Sequence, residues 1–233
     1  MHGLHASNYL DGKHLFSILT RLKKSFEFGL GLVLMKAYLL LLVLFLVIGC
    51  QSPPLPEFKP PDSVCPKTDL LLLSQPEIDI RSGNSLIAVY CKNDITPSGS
   101  EWEVSLVFED EIHPNSWKDF FYRIYRRIKY GRNYDIESFT IHLEPDGKTF
   151  QLDLKNVYSG SQTFYQDPVE HKDSVLASAS LENKNALPIV YVNTWNHMFG
   201  EKDMNPDLQK QEHLLSEFRF GSRRQLDLYF GSR

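Results

Sequence analysis

The sequence lacks the short signatures of the common catalytic, metal and nucleotide sites. It contains no His-Glu-x-x-His, no Gly-x-Ser-x-Gly, no phosphate-binding glycine loop and no Cys-x-x-Cys pair. No metal site is predicted and no cofactor is implied. Catalytic groups can also assemble from distant positions, so an enzyme is not excluded. The sequence alone leaves its catalytic residues unknown.

The chain after the apolar run also has no excess of positive charge. Residues 50–233 contain 20 Lys and Arg against 27 Asp and Glu. Neutralising a phosphate backbone needs a basic surface, so this balance excludes a general nucleic-acid binder. With 42% hydrophobic and 23% charged residues, the chain has the composition of a globular protein.

Cysteine is scarce, and the chain contains three: Cys50, Cys65 and Cys91. Cys50 stands directly after an apolar run, which leaves Cys65 and Cys91 as a pair. In an oxidising compartment we expect these two to form a disulfide. It would close a loop of about 27 residues and contribute about 3 to 4 kcal/mol. The alternative is two unpaired thiols, one or both buried.

Cys50 ends a segment with the layout of a secretory signal peptide. Met35 is followed by the charged Lys36 and then by an apolar run over residues 39–49. The tetrapeptide Val47-Ile48-Gly49-Cys50 resembles the lipobox of bacterial lipoproteins. The resemblance implies that the Cys50 sulfur receives a diacylglycerol, that the chain is cut before Cys50, and that the new amino terminus is acylated as well. Residues 35–49 would then be the signal peptide.

Residues 1–34 do not fit a lipoprotein signal. One interpretation is that translation begins at Met35 and that residues 1–34 are a mis-annotated extension. The other is that Met1 is genuine, so that residues 28–49 span a membrane behind the positive flank of Arg21, Lys23 and Lys24. Both interpretations place the residues after Cys50 across the membrane. Export is therefore predicted in either case.

A proline-rich stretch follows the cysteine. Residues 52–67 contain six prolines and predict an extended tether between the lipid and a single globular domain at 68–233. An arm packed along the domain surface is the alternative. Gln51 is not the aspartate that is linked with inner-membrane retention in some bacterial lipoproteins. The outer membrane is therefore favoured over the inner membrane for this lipid-anchored envelope protein.

Strand patterns dominate the predicted domain. Residues 85–91 and 101–109 are rich in strand-forming residues, and the turn Pro145-Asp146-Gly147 separates two alternating segments that predict a hairpin. Residues 225–231 predict another strand, and residues 206–215 a short helix. We expect an α+β fold, mainly antiparallel β-sheet with one amphipathic helix packed on it. A β-sandwich with a helical insert is the alternative.

The amphipathic helix is predicted within residues 113–131. Five apolar residues recur at helical spacing and are expected to face the sheet, Asn115 or Ser116 to cap the start, and Gly131 to end the helix. The apolar residues are Trp117, Phe120, Phe121, Ile124 and Ile128.

Two groups of side chains are candidate binding sites. The first is a patch for anionic ligands on the helix, and the alternative is that these cations form a solvated outer face. The patch comprises Arg123, Arg126, Arg127, Lys129 and Arg132. The second group is Asn193, Trp195 and His197, expected to share one face at the end of a strand; there the alternative is a strand that leaves the core into a polar loop.

The predicted function follows mainly from the anchor. We expect an exported lipoprotein that presents one globular domain as a binding or structural module of the cell envelope. The membrane is its predicted partner through the acyl chains on Cys50, and a protein or glycan is a further candidate. The alternative is an envelope hydrolase with a site near His197.

Overall fold

Strands outnumber helices in the part of the chain that the structure describes. The computed structural model describes residues 54–59, 65, 69–97, 99–147 and 149–231, so Cys50, the signal segment and residues 1–34 lie outside the described residues. The strands are β1 (Leu71–Pro76), β2 (Leu86–Thr96), β3 (Gly99–Phe108), β4 (Asp135–Leu143), β5 (Phe150–Asp153), β6 (Val175–Ala177), β7 (Glu182–Lys184), β8 (Leu187–Val192), β9 (Phe199–Gly200), β10 (Lys210–Leu215) and β11 (Arg219–Phe220). The α-helices are α1 (Glu77–Arg81), α2 (Ser116–Tyr130) and α3 (Arg223–Gly231).

The strands form two open sheets. One has the order β10-β1-β8-β7 with β9 beside β8, and the other has the order β11-β2-β3-β4-β5-β6. Both sheets are mixed, because β1 pairs with β8 in parallel and β2 pairs with β11 in parallel. The fold is therefore α+β and mostly β, and the expectation of a mainly antiparallel sheet is not confirmed.

The main core lies between the two sheets. Alternate residues of β3 point into it, and Val104, Leu106 and Phe108 are fully buried there. The opposing sheet contributes Leu71 and Leu73 from β1, which is buried along its whole length. Because alternate side chains of a strand point to opposite sides, this burial also fixes which residues face the second side of the six-stranded sheet.

A smaller core covers that second side. Tyr90 and Ile136 pack there against Leu226 of α3, together with Leu55 and Phe58 from the arm at residues 54–59. The Tyr90 hydroxyl donates a hydrogen bond of 2.8 Å to the carbonyl of Pro56. Part of the predicted proline-rich tether is thus a packed arm, because its apolar residues find a partner in α3.

The predicted disulfide between Cys65 and Cys91 is confirmed. Both residues are buried, and Cys91 lies in β2. The bridge joins the segment that follows the packed arm to the six-stranded sheet.

Opening this bridge should lower the free energy of unfolding by about 3 kcal/mol, because the unfolded chain regains the entropy of its closed loop. Urea unfolding with and without reductant measures the change, and Cys65→Ser/Cys91→Ser should reproduce it. Cys50→Ser is the matched control, since it keeps the bridge and should retain the sensitivity to reductant. An unfolding midpoint that reductant does not move would contradict this prediction.

Two local predictions fail and two hold. Residues 206–215 contain strand β10 rather than a helix, because Leu214 and Leu215 pair with β1. Residues 225–231 lie in helix α3 rather than in a strand. The predicted hairpin is confirmed, with Leu143 opposite Phe150, and the predicted strand segments 85–91 and 101–109 lie almost entirely in β2 and β3. Among the described residues, none of the helices is both long and apolar enough to cross a bilayer.

Candidate functional site

Helix α2 begins and ends where its sequence indicates. The Asn115 side chain accepts hydrogen bonds of 3.1 Å from the backbone N–H groups of Trp117 and Lys118. Gly131 ends the helix with a left-handed φ of 69°, a conformation that glycine adopts without the penalty of a Cβ. The predicted helix is therefore confirmed in its position.

The orientation of α2 is the reverse of the expected one. Trp117 is 76% exposed, Phe121 64% and Ile128 81%, and the apolar stripe as a whole points away from the sheets. The prediction that this stripe packs on the sheet is wrong. We call it the outer face of α2; its residues are Trp117, Phe120, Phe121, Ile124, Tyr125 and Ile128.

The side of α2 that faces the domain is polar. Asp119, Tyr122 and Arg126 recur there at spacings of three and four, which places them on one side of the helix. Asp119 accepts a hydrogen bond of 2.9 Å from the backbone N–H of His113. The helix is therefore attached to the domain through polar and charged groups rather than through an apolar stripe.

Arg126 makes the central contacts of this attachment. Its guanidinium is buried and lies 3.1 Å from Asp110, 3.2 Å from Glu111 and 3.6 Å from Asp135. It also donates a hydrogen bond of 3.2 Å to the carbonyl of Tyr134. A buried guanidinium with several acceptors around it is well satisfied, although removing it from water remains costly.

Two neighbouring contacts extend this network. The Tyr122 hydroxyl donates a hydrogen bond of 2.7 Å to Glu111, and Arg123 pairs with Asp110 at 2.6 Å. Burial and the charge of Asp135 raise the pKa of Glu111 to about 7, against the opposing effect of Arg126. Glu111 therefore titrates near neutral pH, while Asp110 has two cationic partners.

His197 occupies the other end of the network. Its Nδ1 lies 2.7 Å from Asp135 and its Nε2 lies 3.2 Å from Asp79, while its ring stacks on Phe108 with centroids 3.8 Å apart. Burial disfavours the imidazolium, but the charge of Asp79 and the hydrogen bond and charge of Asp135 outweigh it and raise the pKa of His197 to about 10. His197 is thus a buried cation between two carboxylates.

The carboxylates around His197 are themselves held in place. Asp79 accepts hydrogen bonds of 2.7 Å from the side-chain amides of Gln75 and Asn84. Burial acts to raise the pKa of Asp135, but the hydrogen bond and charge of His197, together with Arg126, lower it. The network therefore runs from α1 through His197 and Asp135 to α2.

The three residues of the second predicted site do not share a face. They lie in the turn after β8, where His197 has a φ of 58°. The Asn193 amide donates to Ser159, and the Trp195 indole donates to the carbonyl of Gln166. His197 is fully buried and lines neither of the two surface grooves described below, so its position does not support the hydrolase alternative.

The five cations of the predicted patch are also separated. Arg126 is buried, Arg123 pairs with Asp110 and Asp119, and Arg132 pairs with Asp227 at 2.5 Å. Arg127 and Lys129 are exposed and make no ion pair with any carboxylate in the described part of the chain. The cations thus do not form one surface, because most of them neutralise carboxylates of the domain.

Two grooves border α2. One, of about 560 Å³, lies along its amino-terminal half, where the His113 ring contacts Trp195 at 4.5 Å between centroids and its Nε2 lies 3.2 Å from Asp167. The other, of about 710 Å³, separates the carboxyl-terminal end of α2 from α3 and is lined by Lys129, Arg132, Arg223, Arg224, Asp227 and Glu103. Within the described ranges, no cluster of three His, Cys, Asp or Glu side chains is arranged to hold a metal ion.

No family model, curated protein or solved structure matches this chain. Its function has to be inferred from its own residues. The feature that sequence reasoning missed is the direction of the outer face of α2. The sequence does contain an indication of this orientation. Asp119, Tyr122 and Arg126 form a second, polar stripe at helical spacing, and the acidic pair Asp110-Glu111 lies shortly before the helix.

Proposed function

We propose that this protein is an exported lipoprotein, anchored through acyl chains on Cys50, that presents its globular domain as a binding module of the cell envelope. The observation that carries the binding role is the exposed outer face of α2. Six large apolar side chains in one helix exceed the scattered single exposures that are normal on a soluble domain. A contiguous exposed apolar surface of this kind is characteristic of an interaction site.

The way in which α2 is attached supports this role. Buried ion pairs are seldom the most stable solution, and well-packed apolar residues of similar volume are often as good or better. Turning α2 round its axis would bury the apolar stripe in the usual manner. The chain instead buries Arg126 and keeps the apolar stripe outside, which favours a function for that stripe over a purely structural one.

The proposed organisation assigns one task to each segment. Residues 35–49 direct export and are removed, Cys50 carries the acyl chains, and the domain follows the proline-rich segment that ends at residue 67. Two or more acyl chains suffice for stable anchoring without a spanning helix. With Gln51 after the cysteine, the outer membrane is the proposed location.

The anchor has a direct test. Mass spectrometry of the protein isolated from membranes should find an amino terminus at Cys50 that carries acyl mass. Cys50→Ser should lose that mass and its place in the acylated fraction, whereas Cys65→Ser/Cys91→Ser should keep both. A chain that begins at Met1 or Met35 without acyl mass would refute the proposed anchor.

A further inference from the structure

The chain between the proposed anchor and the domain is short. Leu55 and Phe58 already pack on the domain, and Tyr90 holds the carbonyl of Pro56. The five Cα steps from Cys50 to Leu55 reach at most about 18 Å when fully extended. A domain that is attached in this way stays within a short distance of the bilayer surface.

Helix α2 ends on the same side of the domain as the packed arm. Phe58 contacts Tyr229 of α3 at 6.4 Å between ring centroids. Gly131, at the end of α2, packs on Gly231 at the end of α3 so closely that a Cβ on Gly131 would lie 2.9 Å from the Gly231 carbonyl oxygen. The arm, α3 and the carboxyl-terminal end of α2 are therefore contiguous, so an anchor at Cys50 would bring that end of α2 close to the membrane.

The composition of α2 matches that of a helix lying in a membrane interface. Its outer face combines Trp, Phe, Tyr and Ile, with Arg127 on one flank and Lys129 on the other. Aromatic side chains favour the headgroup level of a bilayer, and cations beside them favour anionic headgroups.

The distribution of charge favours contact between the membrane and the side of the domain that carries α2. Residues 50–233 are acidic as a whole, so an anionic membrane repels most of the surface. Arg127, Lys129 and the exposed Arg224 of α3 form no ion pair with a carboxylate among the described residues. Arg127 and Lys129 flank the outer face, and Arg224 lines the groove at the carboxyl-terminal end of α2, so these cations would orient the outer face towards the lipid.

We propose that the outer face of α2 inserts into the headgroup region of the membrane to which the chain is anchored. The anchor and α2 would then be two contacts with one bilayer and would hold the domain in a fixed orientation. This inference rests on the proposed membrane anchoring and adds a contact that the acyl chains do not supply. A protein partner or a second copy of the chain on the same face would exclude it.

Tryptophan fluorescence can read this contact directly. Of the three tryptophans, Trp102 and Trp195 are buried in the domain and Trp117 projects from the outer face. The membrane-isolated full chain is reconstituted into vesicles of phosphatidylethanolamine and phosphatidylglycerol, with or without bromine on the acyl chains. The difference between the protein and Trp117→Phe isolates the signal of Trp117.

We expect the brominated lipids to remove most of the Trp117 signal and aqueous iodide to remove little of it. Ile128→Glu, at an 81% exposed position on the outer face, should reduce the lipid quenching severalfold. Ile95→Glu is the matched control, because Ile95 is 75% exposed but lies at the end of β2, and it should leave the quenching unchanged.

Two results would overturn the proposal. If iodide quenches Trp117 and brominated lipid does not, the outer face points to water. If neither quencher reaches Trp117, another protein surface covers it. Mass spectrometry of the same sample tests the anchor separately. Acyl mass without lipid quenching would support the anchor and refute the contact of α2 with the membrane. Lipid quenching without acyl mass would support that contact and refute the anchor.

Discussion

Replacing Arg126 by methionine should lower the free energy of unfolding by about 3 to 5 kcal/mol. The change leaves Asp110, Glu111 and Asp135 buried beside an apolar side chain, and these carboxylates lose the cation that lies within 3.6 Å of each. Removing one partner of a buried ionic network costs more than the network contributes, because the remaining charges stay desolvated. Urea unfolding followed by circular dichroism measures the loss.

Arg127→Met is the matched control for this prediction. Arg127 is the next residue of α2, has the same chemistry and is exposed, so its replacement should change stability by less than about 0.5 kcal/mol. Arg126→Met/Glu111→Gln should recover part of the loss, because it removes one of the stranded charges. Equal effects of Arg126→Met and Arg127→Met would show that the buried network does not hold α2.

The network explains how α2 can point its apolar side outwards. A helix whose only interior contacts were apolar would turn until its apolar stripe was buried. The partners of Arg126 lie at fixed positions at the end of β3 and the start of β4, so they define one rotation of α2 about its axis. The attachment thus fixes α2 with its outer face exposed.

Local patterns in the sequence predicted much of the fold. The hairpin of β4 and β5 follows from two alternating segments and a Pro-Asp-Gly turn, and α2 follows from a cap, a period and a glycine. The disulfide follows from the two cysteines that remain once Cys50 is assigned to the lipid. Each of these features depends on neighbouring residues or on a simple count.

The predictions that failed concern features that depend on residues distant in the sequence. A helical period shows which residues share a side of α2, but not which side faces the domain. That choice belongs to Asp110, Glu111 and Asp135, and nothing near Arg126 in the sequence marks Asp135 as its partner. Strand β10 was missed for the same reason, since its pairing with β1 overrides the local helical pattern.

The role of His197 was equally hidden. A histidine after a strand suggested a surface site, whereas its partner Asp135 lies 62 residues away and Asp79 lies still further. Both carboxylates meet the imidazole only because α1 and β4 come together beside Phe108. The sequence therefore located an unusual histidine but not its burial.

The stability of the protein should fall as the pH rises from about 6.5 to about 10. The pKa of His197 is raised from 6.5 in the unfolded chain to about 10 in the fold, so its contribution is complete below pH 6.5 and disappears as the pH passes 10. The corresponding change in the free energy of unfolding is on the order of 5 kcal/mol. Urea unfolding across this pH range measures it.

The groups around His197 do not reverse this trend. Asp135 faces the imidazole, and despite its burial His197 and Arg126 lower its pKa, so it stays ionised throughout the range. Despite the burial of Arg126, Glu111 and Asp135 raise its pKa, so it stays charged. The pKa of Glu111 is raised to about 7 in the fold, so the ionisation of Glu111 also lowers the free energy of unfolding as the pH rises. This effect falls at the lower end of the range. Both titrations therefore act in the same direction.

His197→Asn removes the charge of residue 197 and keeps its backbone conformation. Asparagine tolerates the left-handed conformation of residue 197, so the variant should lose stability below pH 6.5 and lose most of the pH dependence above it. His171→Asn, at an exposed histidine, is the control and should keep the full pH dependence. In the unaltered protein, the ring resonances of His197 should remain those of an imidazolium at pH 8. A neutral ring at that pH would contradict a buried cation between Asp79 and Asp135, whatever the stability of the variant.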